Sequence, residues 1–275
     1  MDLELIFSNL RPREQVGGIR PPGPVFACFF IHHAGGSATA FSPFARHLPQ
    51  TWELYAVDLP GRGRTAGDPP CRSATGAAAF LRPGILARAS GAYGIFGHSM
   101  GALVTYELAR ELAVSARPPT WLGLSGSAAP QLVHDLHTER RDLWPTTELV
   151  GFLRDLGGTP EEMLTDPDMA AYLVDVLRGD IAIVDTYTYT PGPAMGIPAS
   201  IHYRDTDPLV THEHITPWRK HFHARVETQS WPGGHFYLFD QAQKLSQHIV
   251  TDVERALAAA ASSSAPREGE RVHSV

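Results

Sequence analysis

The chain has 275 residues, of which 43% are hydrophobic and 19% are charged. This composition can bury a sizeable core and excludes a disordered chain, while the length is compatible with one domain or two. The formal net charge of -6 excludes a global positive field that would gather nucleic acid or an anionic membrane. We therefore expect no nucleic-acid partner and no membrane partner.

The cysteines and the N-terminus limit the cellular compartment. Two cysteines, Cys28 and Cys71, exclude a disulfide scaffold, and Cys28 lies in an apolar run that favours a small buried side chain. The first ten residues carry acids where a signal peptide is basic, and no stretch approaches the ~18 apolar residues of a membrane helix. These features predict a soluble, cytoplasmic protein.

Apolar runs of strand length alternate along the chain with longer stretches of helical period. We predict strands at residues 25–31, 52–59, 92–96, 121–124, 200–203 and 226–230. We predict helices between them at residues 41–47, 75–88, 102–113, 212–221 and 241–260. This alternation is typical of an α/β fold with a mostly parallel central sheet and helices on both faces.

The alternation is interrupted once, from about residue 131 to 190, where no convincing strand occurs. Residues 159–162 read as a capping box with proline at the first helical position, and Asp166-Pro167 repeats the combination of cap and proline. We therefore expect a helical insertion at about 131–190, within the sheet.

The two ends of the chain differ from its middle. Residues 1–24 end in a run rich in proline and glycine, and we expect them to form a flexible arm. Residues 261–275 are serine-rich and then charged, with nothing apolar to anchor them, which predicts a disordered tail. A single domain is expected at residues 25–260.

The motif G-x-S-x-G occurs at residues 97–101, between a predicted strand and a helical run. This context is that of a nucleophile elbow. The chain reverses so sharply at an elbow that the residues two before and two after the serine must be small, and the strain lifts the hydroxyl clear. Ser99 is therefore the candidate nucleophile, and the alternative is an ordinary glycine turn with a surface serine.

A serine hydroxyl needs a base to take its proton and a carboxylate to orient that base, here in the chain order Ser, Asp, His. His235 follows a predicted strand and precedes the last helix, where a loop can hold an imidazole over the carboxyl edge of the sheet. Asp207 follows the preceding strand, one helix and one strand before the histidine. Asp205 is its rival as the acid. For either residue taken alone, capping a turn is nearly as good an explanation.

The tetrahedral intermediate of acyl transfer needs two backbone N–H donors. Met100, the residue after the candidate nucleophile, supplies the first. The turn at residues 33–37 offers the second, since its glycines let the backbone approach a substrate closely.

Seven different short motifs are distributed over most of the chain. They are HAGGS at 33–37, LPGRG at 59–63, GHSMG at 97–101, LGGTP at 156–160, LRGD at 177–180, DTDP at 205–208 and GGHF at 233–236. In order and spacing, the chain from about Val25 to Ala260 resembles the type II thioesterases. These are the stand-alone editing enzymes of polyketide and non-ribosomal peptide synthesis.

The resemblance implies an α/β-hydrolase with a helical lid that hydrolyses acyl thioesters on the phosphopantetheine arm of an acyl or peptidyl carrier protein. It assigns Ser99 as the nucleophile, His235 as the base, Asp207 as the acid, and the amides of Ala34 and Met100 as the oxyanion hole. The reaction requires no metal and no diffusible cofactor, and we expect a monomer. Two alternatives stay open: a general esterase or acyltransferase on the same scaffold, and a non-catalytic module that binds carrier proteins.

The sequence departs from the family's pattern at three places. His32 stands where the family usually has proline, which would alter the pocket floor. Residues 203–204 replace the usual glycines before the acid, so the choice between Asp207 and Asp205 stays open. Residues 125–130 lack the arginines that are often found there.

Several local patterns have competing interpretations. The glycines at 61–67 superficially match a dinucleotide loop, but the third glycine comes one residue too late. Four histidines between 212 and 223 lack the companions of a metal site, and a solvated helix explains them better. Arg62 and Arg64 either meet an acidic carrier protein or a phosphate, or fix a loop through hydrogen bonds to carbonyl groups. The apolar residues between 149 and 181 either line an acyl channel or pack against the core.

Overall fold

The computed structural model describes residues 5–11, 26–136, 138–157, 159–204, 207 and 210–264. Seven strands form one sheet in the order β1-β3-β2-β4-β5-β6-β7. They are β1 (Phe7–Asn9), β2 (Phe26–Ile31), β3 (Trp52–Val57), β4 (Tyr93–His98), β5 (Trp121–Ser125), β6 (Ala199–Tyr203) and β7 (Val226–Ser230). β1 runs antiparallel to β3, and the other neighbouring pairs are parallel. The strands predicted from the sequence are confirmed with small shifts of their ends, and β1 was missed.

Helices cover both faces of this sheet. The α-helices are α1 (Ala74–Arg88), α2 (Met100–Ala113), α3 (Pro130–Leu136), α4 (Thr146–Leu156), α5 (Glu161–Thr165), α6 (Pro167–Asp185), α7 (His212–Ile215), α8 (Tyr237–Asp240) and α9 (Ala242–Ser264). Short 3₁₀ helices span Ala38–Arg46, Gly63–Thr65, Arg141–Leu143 and Thr216–His221. The helix predicted at 41–47 is therefore 3₁₀ and the one predicted at 212–221 is partly 3₁₀, and each of these 3₁₀ segments contains a proline, Pro43 or Pro217, that cannot donate a backbone hydrogen bond.

The side chains of β2 show how the two helical layers attach. Phe29 and Ile31 belong to a core shared with α1 and α2. Phe30 and Cys28 belong to the opposite core, shared with the 3₁₀ segment after β2 and with α9. Because side chains alternate along a strand, a strand that is apolar throughout is buried on both faces. The expected buried environment of Cys28 is confirmed.

Four α-helices, α3 to α6, lie between β5 and β6, in the stretch where the sequence predicts a helical insertion. The last three of these helices, α4 to α6, share a small core of their own, formed by Leu149, Leu153, Leu164, Val174, Leu177 and Ile181. Asp166 caps α6 as predicted, accepting the N–H of Met169 at 2.8 Å. The predicted capping box before α5 is wrong, because Pro160 occupies the N-cap position and no side chain caps that helix.

The N-terminal residues do not form a wholly flexible arm. Phe7–Asn9 pair with β3 as an edge strand. The ring of Phe7 lies against Gly84 of α1, where an added Cβ would come 2.2 Å from its Cε2 atom. The prediction for 1–24 is therefore wrong at this strand, which is too short to produce a recognisable pattern. Apart from residues 5–11, the predicted arm lies outside the described residues.

The last helix is longer than predicted. α9 continues to Ser264, so the predicted tail at 261–275 begins inside a helix, and residues 265–275 lie outside the described residues. Within the described part of the chain, none of the helices combines the length and the apolarity needed to cross a bilayer.

His202 on β6 is a buried titratable group that should make the stability of the fold depend on pH. Burial lowers the pKa of His202 to about 3, and its Nδ1 accepts the indole N–H of Trp231 at 3.2 Å, a bond that protonation of Nδ1 would break. The unfolded chain binds this proton near the ordinary pKa of 6.5. The unfolded state therefore gains stability as the pH falls below that value, and between pH 7 and 5.5 His202 should lower the free energy of unfolding by about 1 kcal/mol.

Urea unfolding of the wild type and of His202→Gln at these two pH values measures this contribution. We expect the variant to lose less stability on acidification, whatever its stability at neutral pH. His134 is exposed, so His134→Gln should keep the full pH dependence of the wild type. Equal pH dependence in all three proteins would mean that His202 is protonated in the folded state.

Candidate active site

Ser99 lies in the turn between β4, the central strand, and α2. Among the described residues it is the one non-glycine residue with a positive φ, 55°, so the turn is strained. A Cβ on Gly97 would lie 2.1 Å from the carbonyl oxygen of Gly101, and a Cβ on Gly101 would lie 2.2 Å from that of Ile31. The expected steric need for small residues on both sides of the serine is confirmed.

His235 and Asp207 are joined by a buried hydrogen bond. His235 follows β7 and Asp207 follows β6, so both lie at the carboxyl edge of the parallel sheet. The Nδ1 of His235 lies 2.7 Å from the Oδ2 of Asp207, and both side chains are almost fully buried. A carboxylate only accepts, so Nδ1 carries the proton and Nε2 is left as the basic nitrogen. Asp205, the rival acid, lies outside the described residues.

A cavity of about 70 Å³ brings the sequence-predicted site residues together. Its wall includes Ser99, His235, Ala34 and Met100. Its other lining residues are mostly apolar and include Phe152, Leu156 and Ile181 of the insertion. The cavity lies at the switch point between β2 and β4, where open α/β sheets bind ligands.

A second cavity of about 630 Å³ adjoins the first. His33, Ala34, Leu156 and Phe236 line both cavities. Leu153, Leu173 and Val176 of the insertion line the larger one, while Leu149 and Leu177 pack in the insertion's own core. Some of the apolar residues between 149 and 181 thus line a cavity, and others pack in a core. The sequence allowed both interpretations.

The amides of Ala34 and Met100 are free to bind an oxyanion. Neither N–H donates to any acceptor within the described part of the chain. The next two amides of the turn are engaged, since Gly35 donates to Asp180 at 2.8 Å and Gly36 donates to the carbonyl of His33 at 3.0 Å. Of these three consecutive amides, Ala34 is the one available for a substrate.

Neutral imidazoles surround His235. The ring centroid of His98 lies 5.1 Å from that of His235, and the ring of His33 lies 6.2 Å from that of His98. Burial lowers the pKa of His33 to about 3 and holds the pKa of His98 well below its ordinary value. Neither ring is therefore a cation at neutral pH.

The side chain of His98 is bonded to β5 and not to the candidate nucleophile. Its Nδ1 lies 2.9 Å from the hydroxyl of Ser125, which in turn lies 2.6 Å from the hydroxyl of Tyr237. These buried groups connect the ends of β4 and β5 with α8. The family often has arginines within residues 125–130. In this chain the first of these residues is Ser125, which is buried and takes part in a hydrogen-bond network.

Arg62 is a structural residue of the loop after β3. Its guanidinium forms a buried bidentate ion pair with Asp180 of α6, at 2.7 and 2.5 Å. It also donates to the carbonyl oxygens of Gly36 at 2.8 Å and Leu59 at 3.0 Å. Of the two interpretations that the sequence allowed for Arg62, loop fixing is the one that these bonds support. Sequence reasoning missed Asp180, although it lies in the LRGD motif.

The histidines between 212 and 223 each have separate partners. His212 bonds to Tyr203, His214 caps α7, His221 bonds to Tyr106 and Gln131, and His223 bonds to Ala194. Across the described ranges, no three His, Cys, Asp or Glu side chains are grouped so that they could hold a metal ion. The glycines at 61–67 lead into a single 3₁₀ turn and not into a long helix.

The model of the thioesterase domain family matches residues 27–256 of this chain. The protein belongs to the thioesterase domain family. The gramicidin S biosynthesis protein GrsT of Aneurinibacillus migulanus is 29% identical to it over 84% of this chain and 90% of that protein. Thioesterase PikA5 of Streptomyces venezuelae is 30% identical over 80% of this chain and 78% of that protein.

Solved structures of type II thioesterases resemble this thioesterase. BorB, from the borrelidin biosynthetic cluster, has a TM-score of 0.77 and 30% identity over 90% of this chain and 98% of that chain. YbtT, from the yersiniabactin pathway, has a TM-score of 0.79 and 26% identity over 91% of this chain and 99% of that chain. The predicted α/β-hydrolase fold and the predicted thioester hydrolase are thereby confirmed.

Proposed function

We propose that this thioesterase releases acyl groups from the phosphopantetheine arm of an acyl or peptidyl carrier protein, as a stand-alone editing enzyme. Relatives support this assignment, since GrsT is named for gramicidin S biosynthesis and YbtT for a combined NRPS/PKS pathway. The observation that carries the proposal is the cavity that Ser99 shares with His235, whose Nδ1 is bonded to Asp207. We propose that the enzyme acts in the cytoplasm as a monomer.

In the proposed reaction, Ser99 Oγ attacks the thioester carbonyl while His235 Nε2 takes the hydroxyl proton. The amides of Ala34 and Met100 bind the resulting oxyanion. The C–S bond then breaks, and the thiol leaves with the proton from His235. Water attacks the acyl-serine by the same route, releasing a carboxylic acid and restoring the hydroxyl.

We assign the insertion the role of a lid over the site. Phe152 and Leu156 on α4 and Ile181 on α6 form part of the wall around Ser99. These apolar side chains would exclude water from the acyl group in the smaller cavity, which favours attack at the oriented thioester. The larger cavity, which meets the first at His33 and Ala34, would take the arm.

Incubation with a panel of acylated carrier proteins in ¹⁸O-labelled water tests this function. Mass spectrometry should show the free phosphopantetheine thiol on the carrier and one labelled oxygen in each released acid. We expect carrier-bound thioesters to react at least about tenfold faster than oxygen esters of the same acyl group, because the arm adds binding contacts.

Other outcomes favour other functions. Equal rates on free oxygen esters would indicate a general esterase, and unlabelled acyl products on an added acceptor would indicate an acyltransferase. A fluorophosphonate probe should label Ser99. A protein that binds carrier proteins but shows neither labelling nor turnover would be a binding module.

A further inference from the structure

The turn at residues 33–37 is held by charged side chains from elsewhere in the fold. We propose that Asp180 and Arg62 are positioning residues, which fix this turn so that the Ala34 amide meets the oxyanion. This inference rests on the proposed function, because it concerns the same reaction. It also ties the insertion, through α6, to the oxyanion hole.

The contacts between the ion pair and the turn are direct. Asp180 Oδ2 accepts both the N–H of Gly35 at 2.8 Å and an Nη1–H of Arg62 at 2.7 Å. The same Nη1 of Arg62 donates to the carbonyl oxygen of Gly36 at 2.8 Å. The ion pair therefore binds the N–H of Gly35 and the carbonyl oxygen of Gly36. These two bonds restrain the rotation of the peptide groups to which these atoms belong.

The peptide group that joins His33 to Ala34 is fixed through its carbonyl oxygen. The carbonyl oxygen of His33 accepts the N–H of Gly36 at 3.0 Å and lies 2.8 Å from Nδ1 of His32. His32 Nε2 accepts the N–H of Leu59 at 3.3 Å, so its proton must lie on Nδ1, where it can be donated to His33. Because a peptide group is planar and trans, fixing this carbonyl also fixes the direction of the Ala34 N–H.

Apart from the bond between the Gly36 N–H and the His33 carbonyl, the glycines of the turn do little to hold its shape. Gly35 has a φ of 74°, which favours glycine, and a Cβ there would lie 3.4 Å from Leu177 of α6. Glycines leave many backbone conformations open in the absence of external bonds. The bonds from Asp180 and Arg62 select one of them.

A buried ion pair is a costly way to stabilise a fold. Both side chains are buried, with exposures of 3% for Arg62 and 1% for Asp180. Apolar residues of similar size often replace such pairs without loss of stability. A role in stability and a role in positioning can therefore be separated by experiment.

The test compares Asp180→Asn, the double variant Arg62→Met/Asp180→Leu and the control Glu107→Gln. Glu107 is also a buried carboxylate paired with an arginine, Arg110, on the helix that follows Ser99. For each protein we would measure kcat and KM on an acylated carrier protein, the Tm, and the rate at which a fluorophosphonate labels Ser99.

We expect Asp180→Asn to lose about 100-fold in kcat and in labelling rate, with KM changed less than about threefold. The double variant should regain much of the wild-type Tm and keep the low kcat. Glu107→Gln should lose Tm and keep the wild-type kcat.

Wild-type kcat in the double variant, or a loss of Tm alone in Asp180→Asn, would overturn the positioning role. A wild type that does not hydrolyse carrier thioesters would refute the proposed function instead. The labelling rate then decides the positioning role, because phosphonylation of Ser99 uses the same oxyanion donors. Equal labelling of the wild type and Asp180→Asn would refute it.

Discussion

Ser99→Ala is expected to lower turnover of an acylated carrier protein by about a million-fold, to the level of the uncatalysed reaction plus the contribution of binding. The variant lacks the oxygen that forms the acyl intermediate, while the oxyanion amides and His235 remain. Alanine is small enough for the strained turn, so the Tm should stay close to that of the wild type. Single-turnover mass spectrometry of the acylated carrier measures the residual rate.

A buried serine far from the cavity provides a matched control. Ser246 lies on α9, and its hydroxyl has no hydrogen-bond partner among the described residues. Ser246→Ala should keep wild-type turnover. Thioester hydrolysis by a homogeneous Ser99→Ala protein at more than trace rate would exclude Ser99 as the nucleophile.

Asp207→Asn is expected to lower kcat by about 10⁴-fold. The carboxylate of Asp207 lies 2.7 Å from Nδ1 of His235 and keeps the proton on that nitrogen. An amide can donate to Nδ1 instead, which would place the proton on Nε2 and remove the base. The protein should still fold, because the amide has the same shape as the carboxylate.

Asp205→Asn is the comparison for this prediction, since the two aspartates are only two positions apart in the sequence. Steady-state kinetics on one carrier substrate should show the larger loss of kcat for Asp207→Asn. A larger loss for Asp205→Asn would reverse the assignment.

The features that the sequence could predict are local ones. The strained turn at Ser99 is produced by glycines two residues away on each side, so a five-residue pattern contains the whole steric argument. The carboxylate that orients His235 was harder to predict, because Asp207 and Asp205 are alternatives only two positions apart in the sequence. Which of them faces His235 depends on the path of the backbone, and no residue type encodes that path.

The bonds from Arg62 and Asp180 that hold the turn at residues 33–37 could not be predicted from the sequence. Arg62 and Asp180 are 118 residues apart in the chain. Taken alone, Arg62 could meet a partner or fix its own loop, and the sequence does not indicate a role for Asp180. Their partnership exists because α6 returns over the loop after β3, and a packing relation between helices and loops leaves no periodic signal. The double role of His32 depends in the same way on a backbone amide of another loop.

Both edges of the sheet carry features that disfavour pairing with a strand of another molecule. Between Ile6 and Leu10, the chain pairs with the outer edge of β3 from Leu54 to Asp58, and the edge strand that results is only three residues long. At the opposite edge, β7 carries Glu227, which is paired with Arg225. Short strands and charged side chains are the devices by which proteins deter strand exchange between molecules. A segment that reads as a loose arm thus covers an edge of β3 where a strand of another molecule could otherwise pair.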